Sequence, residues 1–301
     1  MKNAYRSAEA RVLAALPTRA AESHKGSYGA ALLFCGSHAY TGAAILSGMG
    51  ALRGGAGLVH LLSEAAVLAP ARVRLPEVIC HETLPLLDKP GILATADKIA
   101  GARGAILIGC GMGRANGSQA AAFCEALSSL LATPGVPLVL DADALNACAT
   151  HPSGAGALLQ GAKRKVVLTP HPMEFARLTG RPLTEIQATR EASAAAFARE
   201  TGAVVVLKGH GTVIASPTGE AWVNPSGNSA LAKGGSGDVL AGFLVSLIAG
   251  GMAVEEAAFA AAYLHGLAGE RLGARDSQFG VLPSDLPAAM AAELCRITGE
   301  K

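Results

Sequence analysis

The chain has few charged and few aromatic residues: charged side chains make up 16% and aromatic side chains 4% of its 301 residues. The 25 basic and 23 acidic residues leave a formal net charge of +2, and neither sign is concentrated in a stripe or a tail. A protein that binds nucleic acid through its phosphates carries a basic stripe, so the sequence argues against that class. Intrinsic disorder is excluded as well, because apolar residues reach 50% while the net charge is low.

Signals for secretion, membrane insertion and disulfide cross-linking are also missing. The N-terminal segment MKNAYRSAEARVLAALPTR carries charges throughout and has no apolar core of a signal peptide. The longest apolar run, Val239 to Val254, is shorter than the roughly 18 residues of a membrane span and contains glycines, which predicts a buried helix. The six cysteines form no C-x-x-C pair, which predicts reduced thiols in the core. We therefore expect a cytoplasmic protein.

What the sequence does contain is a regular alternation of apolar strands and Ala-rich helices. The runs GAALLFCG (29–36) and GAILIGCG (104–111) are apolar throughout and bounded by glycine, which is typical of strands buried on both faces. Further strands are predicted at 57–63, before Asp141, before Thr169 and at 203–209, and a hairpin at 211–224. The pattern predicts the α/β class, with one domain over residues 1–301, a mostly parallel central sheet, helices on both faces and an antiparallel edge.

The predicted helices complete this picture. Residues 1–22 are expected to form a helical extension, whereas residues 64–75 and 83–92 predict irregular structure or short helices. The remaining helices are predicted at about 43–53, 117–132, 173–179, 184–200, 237–272 and 283–297.

Ligands of such sheets bind beyond the carboxyl ends of the strands, and the strongest signal there is a loop before the apolar helix, NPSGNSALAKGGSGD (224–238). Gly234, Gly235 and Gly237 allow the backbone to approach a ligand closely, and the free N–H groups at the start of the helix form an anion site. Asp238 is placed to take a proton from an alcohol that attacks a phosphoryl group. The alternative is an aspartate that only caps the helix.

At each of the other strand ends, two interpretations remain open. KGHGT (208–212) predicts either a phosphate or nucleotide site or a bare hairpin turn, and GCGMG (109–113) either a close ligand approach or a plain turn. His171 either contacts a ligand or completes its turn. Asp141 and Asp143 either interact with Mg²⁺ indirectly or cap a short helix.

Taken together, these segments carry a resemblance that extends from about Ser23 to Ala292. The chain resembles the NAD(P)H-hydrate dehydratases of the ribokinase-like superfamily. The motifs that carry the resemblance are SHKGSYG (23–29), YTGAAILS (40–47), GCGMG (109–113), LDADALN (140–146), TPHPMEF (169–175), LKGHGTVI (207–214) and NPSGNSALAKGGSGDVLAG (224–242).

The resemblance implies a ribokinase-like three-layer fold and a repair reaction. The family removes water from the S epimer of hydrated NADH and NADPH at the expense of a nucleoside phosphate, ADP in typical bacterial members and ATP in eukaryotic ones. ADP dependence, AMP and phosphate as products, Mg²⁺ and a homotetramer are therefore expected. Many relatives carry an N-terminal domain that epimerises the R hydrate, and the stretch before SHKGSYG is too short for it. A separate epimerase is expected to act with this chain.

The resemblance also implies roles for individual residues. Asp238 acts as the base for the hydrate's hydroxyl, and the segment from Gly234 to Gly237, including Gly235, stabilises the transferred phosphoryl group. Glu174 interacts with Mg²⁺ through water. The residues expected to bind the adenine nucleotide are Lys208, Gly209, His210, Gly211, Thr212 and Gly237, and those expected to contact the hydrate are Ala43, Gly111, His171 and Asp238.

Two rival functions use the same features. A ribokinase-like kinase that phosphorylates a small molecule such as a vitamin precursor would need the same loop and Asp238. His171 stands where the superfamily's sugar kinases have the Asn of an N-x-x-E motif, which favours the dehydratase. The second rival is a nucleotide-sensing protein without turnover, against which the presence of Asp238 argues.

Overall fold

The computed structural model describes residues 2–83, 96–113 and 118–299, and a mixed sheet stands at its centre. The predicted element at 83–92 lies outside the described residues except for its first position. In chain order the strands are β1 (Ala30–Phe34), β2 (Leu58–Ser63), β3 (Ile79–Glu82), β4 (Gly104–Ile108), β5 (Leu138–Leu140), β6 (Val166–Leu168), β7 (Val204–Leu207), β8 (Val213–Ala215) and β9 (Ala221–Val223).

The sheet order is β3-β2-β1-β4-β5-β6-β7-β8-β9. All neighbours from β3 to β7 pair in parallel, whereas β7–β8 and β8–β9 are antiparallel, as the alternation of strands and helices and the hairpin pattern predicted. The register aligns Phe34 with Ile108 and Ile108 with Leu140, so the carboxyl ends of the central strands form one edge. The loops that follow these strands therefore meet at that edge.

Helices cover both faces of the sheet. One face carries α1 (Lys2–Ala15), α2 (Thr41–Arg53), α3 (Ala65–Arg74), α10 (Ser236–Ala249), α11 (Val254–Gly280) and α12 (Leu286–Thr298). The other carries α4 (Ser118–Leu131), α5 (Asp143–Thr150), α6 (Gly154–Gln160), α7 (Pro172–Thr179), α8 (Leu183–Ala188) and α9 (Arg190–Thr201).

Strand side chains alternate between the two layers of helices: Leu33 packs on one side, and Leu32 and Phe34 on the other. Because both faces are covered, β1 is buried at every position. The prediction of a three-layer α/β fold is confirmed.

Four predicted elements differ in detail from the structure, and the first is the N-terminal extension, where α1 ends at Ala15 and residues 16–22 are not helical. The region 184–200 is two helices that meet at Thr189, and the region 237–272 is two helices separated around Gly250 and Gly251. β3 and α6 were not predicted, since β3 is a short edge strand with two exposed ends and α6 is only seven residues long. Residues 64–75 form the single short helix α3. Each difference concerns a short or Gly-punctuated stretch, where periodicity carries little information.

The long apolar run of the sequence is α10, which is buried along most of its length. None of the helices described here has the length and apolar character needed to cross a membrane. The six cysteines are free: Cys35, Cys110 and Cys148 are buried, and Cys295 is exposed.

Close contact between α2 and α10 depends on glycine. A Cβ atom on Gly242 would lie 2.0 Å from the carbonyl oxygen of Ser47, and one on Gly50 would lie 2.4 Å from the carbonyl oxygen of Val239. Backbone atoms occupy both positions, so a side chain would push the helices apart. This contact places the first turn of α10 beside the carboxyl ends of the strands.

We predict that Gly242→Ala lowers the free energy of unfolding by about 2–3 kcal/mol, because the new methyl group overpacks two rigid backbones. The matched control is Gly42→Ala in α2, where nothing lies within 4 Å of a Cβ atom. That change should stabilise the protein by up to about 1 kcal/mol through helix propensity. Urea unfolding of both variants measures the difference, and equal midpoints would contradict the packing argument.

Candidate active site

A cluster of buried and partly buried polar side chains lies at the ends of β4, β5 and β7. The Sγ atom of Cys110 and one carboxylate oxygen each of Asp141 and Asp238 all lie within 4.8 Å of one another. Asp141 is only 3% exposed, and its Oδ1 accepts a hydrogen bond of 2.8 Å from Nζ of Lys208. Two carboxylates, a thiol and one ammonium group therefore share a site with little access to water.

Asp238 is the third residue of α10, and the residue that caps this helix is Gly235, in a left-handed conformation with φ of 98°. The alternative of a simple capping aspartate is therefore wrong. Burial and then the neighbouring carboxylate of Asp141 raise the pKa of Asp238 to about 7, against the opposing effects of the Cys110 thiol and Lys208. A carboxyl group with this pKa can accept and release a proton near neutral pH.

Lys208 is held by carboxylates. Its Nζ is 2.8 Å from Oδ1 of Asp141 and 3.9 Å from Oε2 of Glu174, and a Cβ atom on Gly237 would lie 3.3 Å from it. Burial by itself lowers the pKa of Lys208, but Asp141 and Glu174 outweigh that effect and raise it. The ammonium group therefore stays charged directly beneath the glycine-rich loop.

His171 and Glu174 form a reciprocal cap at the start of α7. Nδ1 of His171 accepts hydrogen bonds from the backbone N–H groups of Met173 and Glu174, and Oε2 of Glu174 accepts one from the N–H of His171 at 2.7 Å. The ring of His171 therefore completes its turn, as one interpretation predicted, and it also lines the cleft described next; contact with a ligand stays a prediction. Burial and then Lys208 lower the pKa of His171, so the imidazole is neutral at physiological pH.

A cleft of about 740 Å³ opens beside this cluster. Its walls come from the β7–β8 turn and the glycine-rich segment, and His171 and Gly237 stand at its border. The predicted nucleotide-binding residues that line it are Lys208, Gly209, His210, Gly211, Thr212 and Gly237. The structure thus brings the KGHGT and GGSGD segments to one cavity.

Two of the predicted hydrate contacts, Ala43 and Gly111, lie on another side of the cluster, whereas His171 lines the cleft. A Cβ atom on Gly111 would be 2.5 Å from the Cβ of Ala43, so these two residues touch. Neither lines the cleft, but Gly111 is adjacent to Cys110, whose thiol lies 3.8 Å from Oδ2 of Asp141. The carboxylate cluster therefore has the Ala43–Gly111 contact on one side and the cleft on another.

Several site residues were missed or left ambiguous by the sequence. Arg190 of α9 donates hydrogen bonds to the carbonyl oxygens of Leu207, Lys208 and Gly211, which supports the KGHGT turn from behind. Nothing in the sequence distinguishes this arginine from others on amphipathic helices. His265 of the buried helix α11 also borders the cleft, and burial lowers its pKa to about 4.

The donors present suit Mg²⁺ only indirectly. Asp141 is already paired with Lys208, and both oxygens of Glu174 face His171 or Lys208. A hydrogen bond with Cys35 and burial raise the pKa of Cys110 well above its usual range, so the thiol stays protonated. A hard cation that prefers oxygen and keeps its waters fits here only if phosphate groups supply most of its ligands.

Comparison with known proteins shows the family to which the chain belongs. A family model described as NAD(P)H-hydrate dehydratase matches residues 31–291. The chain belongs to the NAD(P)H-hydrate dehydratase family. It is 40% identical over 263 residues to the ADP-dependent (S)-NAD(P)H-hydrate dehydratase of Bacillus subtilis, and the match covers 87% of each chain. A crystal structure of the Bacillus subtilis ADP/ATP-dependent enzyme, co-crystallised with ATP and Mg²⁺, superposes with a TM-score of 0.81 at 37% identity, covering 96% of this chain and 97% of that one.

Two other comparisons set the limits of the family match. The Moorella thermoacetica bifunctional NAD(P)H-hydrate repair enzyme is 39% identical over 284 residues, which cover 90% of this chain but half of that protein. Arabidopsis thaliana ribokinase superposes with a TM-score of 0.51 at 12% identity, covering 87% of this chain and 98% of that one, and shares the fold alone. This member of the dehydratase family therefore has a ribokinase-like fold.

The raised pKa of Asp238 predicts a measurable effect on stability. Between the ordinary pKa of 3.8 and about 7 the folded state keeps a proton that the unfolded state has lost, so stability falls as the pH rises through this window. Asp238→Asn removes this penalty. Its stability advantage over the wild type should widen by roughly 2–3 kcal/mol between about pH 5 and pH 8. Urea unfolding at several pH values measures the difference, and parallel curves for the two proteins would contradict a raised pKa.

Proposed function

We propose that this protein repairs hydrated NADH and NADPH as an ADP-dependent (S)-NAD(P)H-hydrate dehydratase. The observation that carries the proposal is the position of Asp238. Its carboxyl group, with a pKa of about 7, stands in the first turn of α10, between the glycine-rich loop at the nucleotide cleft and the predicted hydrate contacts. The match to the Bacillus subtilis dehydratase supports the same activity.

The proposed reaction first converts a poor leaving group into a good one. The hydroxyl oxygen of the hydrate attacks the terminal phosphorus of ADP, its proton passes to the Asp238 carboxylate, and AMP leaves. Phosphate then leaves the ring carbon with the bonding electrons, while the adjacent carbon gives up a proton to water or to the departing phosphate and the ring double bond forms. The products are NADH or NADPH, AMP and phosphate, and phosphate departs far more easily than hydroxide.

In this proposal the backbone N–H groups from Gly234 to Gly237 hold the transferred phosphoryl group at the positive end of α10. The Lys208 ammonium beneath Gly237 adds a fixed positive charge where the oxygen atoms of the phosphoryl group gather. The KGHGT turn binds the nucleotide, and Ala43, Gly111 and His171 contact the hydrate. Mg²⁺, bound mainly to the nucleotide phosphates and facing Glu174 through water, would neutralise phosphate charge.

The remaining features stay predictions of the family resemblance. These are the homotetramer, the cytoplasmic location, the single domain and the cooperation with an epimerase. The bifunctional relatives, which combine NAD(P)H-hydrate repair activities in one chain, support the last of them.

The activity test is the absorbance near 340 nm of purified protein with hydrated NADH and Mg²⁺, without nucleotide, with ADP and with ATP at equal concentration. We expect a rise that requires nucleotide and is faster with ADP. A clear preference for ATP would overturn the ADP assignment. Nucleotide binding without any rise would instead favour a ribokinase-like kinase, whose product would be a stable phosphoester.

Asp238→Asn should reduce turnover by at least about a hundredfold, because the general base is lost, while nucleotide affinity changes little. The control is Asp276→Asn, which removes a surface aspartate paired with Arg275 and should leave both quantities unchanged. Turnover is followed at 340 nm and nucleotide binding by calorimetry. Wild-type activity in Asp238→Asn would refute the assigned base.

A further inference from the structure

Asp141 is the most buried carboxylate of the site, yet the roles that the family resemblance implies do not include it. Its side chain has 4% exposure, and the Lys208 ammonium binds it at 2.8 Å. Its carboxylate also stands among the three closely spaced groups of the cluster, with Cys110 and Asp238. A buried charge in this position requires a reason, because desolvation is costly.

We propose that Asp141 is a positioning residue for the reaction: its carboxylate anchors the Lys208 ammonium beneath the anion-binding loop and places a like charge beside the carboxyl group of Asp238. The inference rests on the proposed function, since it assigns Asp141 to the chemistry of Asp238. In this proposal the charge of Asp141 acts on the reaction through two neighbouring side chains, Lys208 and Asp238.

The first part of the role follows from the contacts of Lys208. The distance of 2.8 Å to Asp141 is a charge-assisted hydrogen bond, whereas 3.9 Å to Glu174 is not a hydrogen bond. Asp141 is therefore the main anchor of the ammonium group. Its Oδ2 also lies 3.9 Å from the position of a Cβ atom on Gly237, so the ion pair lies next to the loop.

The second part follows from the charges that face Asp238. The groups are the Cys110 thiol after β4, the Asp141 carboxylate after β5 and the Lys208 ammonium after β7, with Glu174 and His171 of the α7 cap beyond Lys208. Of the three groups that act on Asp238, only the Asp141 carboxylate favours its protonated form, because it is a like charge, whereas the thiol and the ammonium favour the charged form. Neutralising Asp141 would leave burial as the one remaining effect that raises the pKa of Asp238, against the thiol and the ammonium that lower it.

The backbone around Asp141 is built to hold this carboxylate in place. The next residue, Ala142, has φ of 46°, a region that residues other than glycine rarely adopt. On the other side, a Cβ atom on Gly109 would lie 1.9 Å from the carbonyl oxygen of Asp141, so the residue after β4 must be glycine to admit this turn. An aspartate that merely capped α5 would need neither feature, and its side chain makes no cap there.

The test is a direct titration of the Asp238 carboxyl group by ¹³C NMR in nucleotide-free protein labelled at the aspartate carboxyl carbons. The Asp238 signal is assigned by its loss in Asp238→Asn. In Asp141→Asn we expect the pKa of Asp238 to fall by about one unit or more, the effect of losing a nearby like charge. In Cys110→Ala we expect it to rise, because the thiol that stabilises the carboxylate is gone.

Activity supplies an independent readout. The acid limb of the pH profile of kcat/KM should shift downward in Asp141→Asn and upward in Cys110→Ala. An unchanged Asp238 titration in Asp141→Asn would overturn the inference, and if that variant does not fold, an unchanged titration in Asp141→Ala, which removes the same charge, would do so. A third outcome is that the pKa of Asp238 falls in Asp141→Asn and rises in Cys110→Ala, but the wild type does not turn over the hydrate. That result would refute the proposed function and leave the electrostatic role of Asp141 standing.

Discussion

The ion pair between Lys208 and Asp141 is the interaction on which the site depends. It joins the ends of β5 and β7 across the sheet and places one positive charge beneath Gly237. The pair is buried, so it persists only because further groups balance it: Glu174 faces the ammonium, and Asp238 remains protonated over part of the pH range. Proton uptake at Asp238 is thus a consequence of how the buried charges are packed.

The cleft beside the pair is held by supports outside it. Arg190 binds three carbonyl groups of the β7–β8 turn. Glu270 of α11 accepts a hydrogen bond from the N–H of Gly227 and another from the hydroxyl of Tyr5, so the N-terminal helix also supports the glycine-rich segment. Helices from both layers therefore hold the turns that line the cleft, and a preorganised turn loses little entropy when a ligand binds.

Sequence patterns were most informative where burial is complete. The central strands are apolar at every position because helices cover both faces, and that signal predicted their place in the sheet. The edge strand β3 has only partial burial and gave no comparable signal. The same reasoning applies to the site. The glycines of the GGSGD loop are recognisable in the sequence by their type and spacing. Arg190 and His265, in contrast, are single helical residues, and the groups that they contact are distant in the chain.

By itself, the sequence determined the fold class, the family and the segments that meet at the strand ends, because periodicity and motif spacing are local properties of the chain. Only the tertiary structure decided which charges face one another. Asp141 and Lys208 are far apart in the chain, and nothing local distinguishes a capping aspartate from one that anchors an ammonium group at 2.8 Å. The raised pKa of Asp238 comes first from burial and then from groups that follow β4, β5 and β7, so the shift exists only once the fold has buried the carboxyl group and brought these groups together.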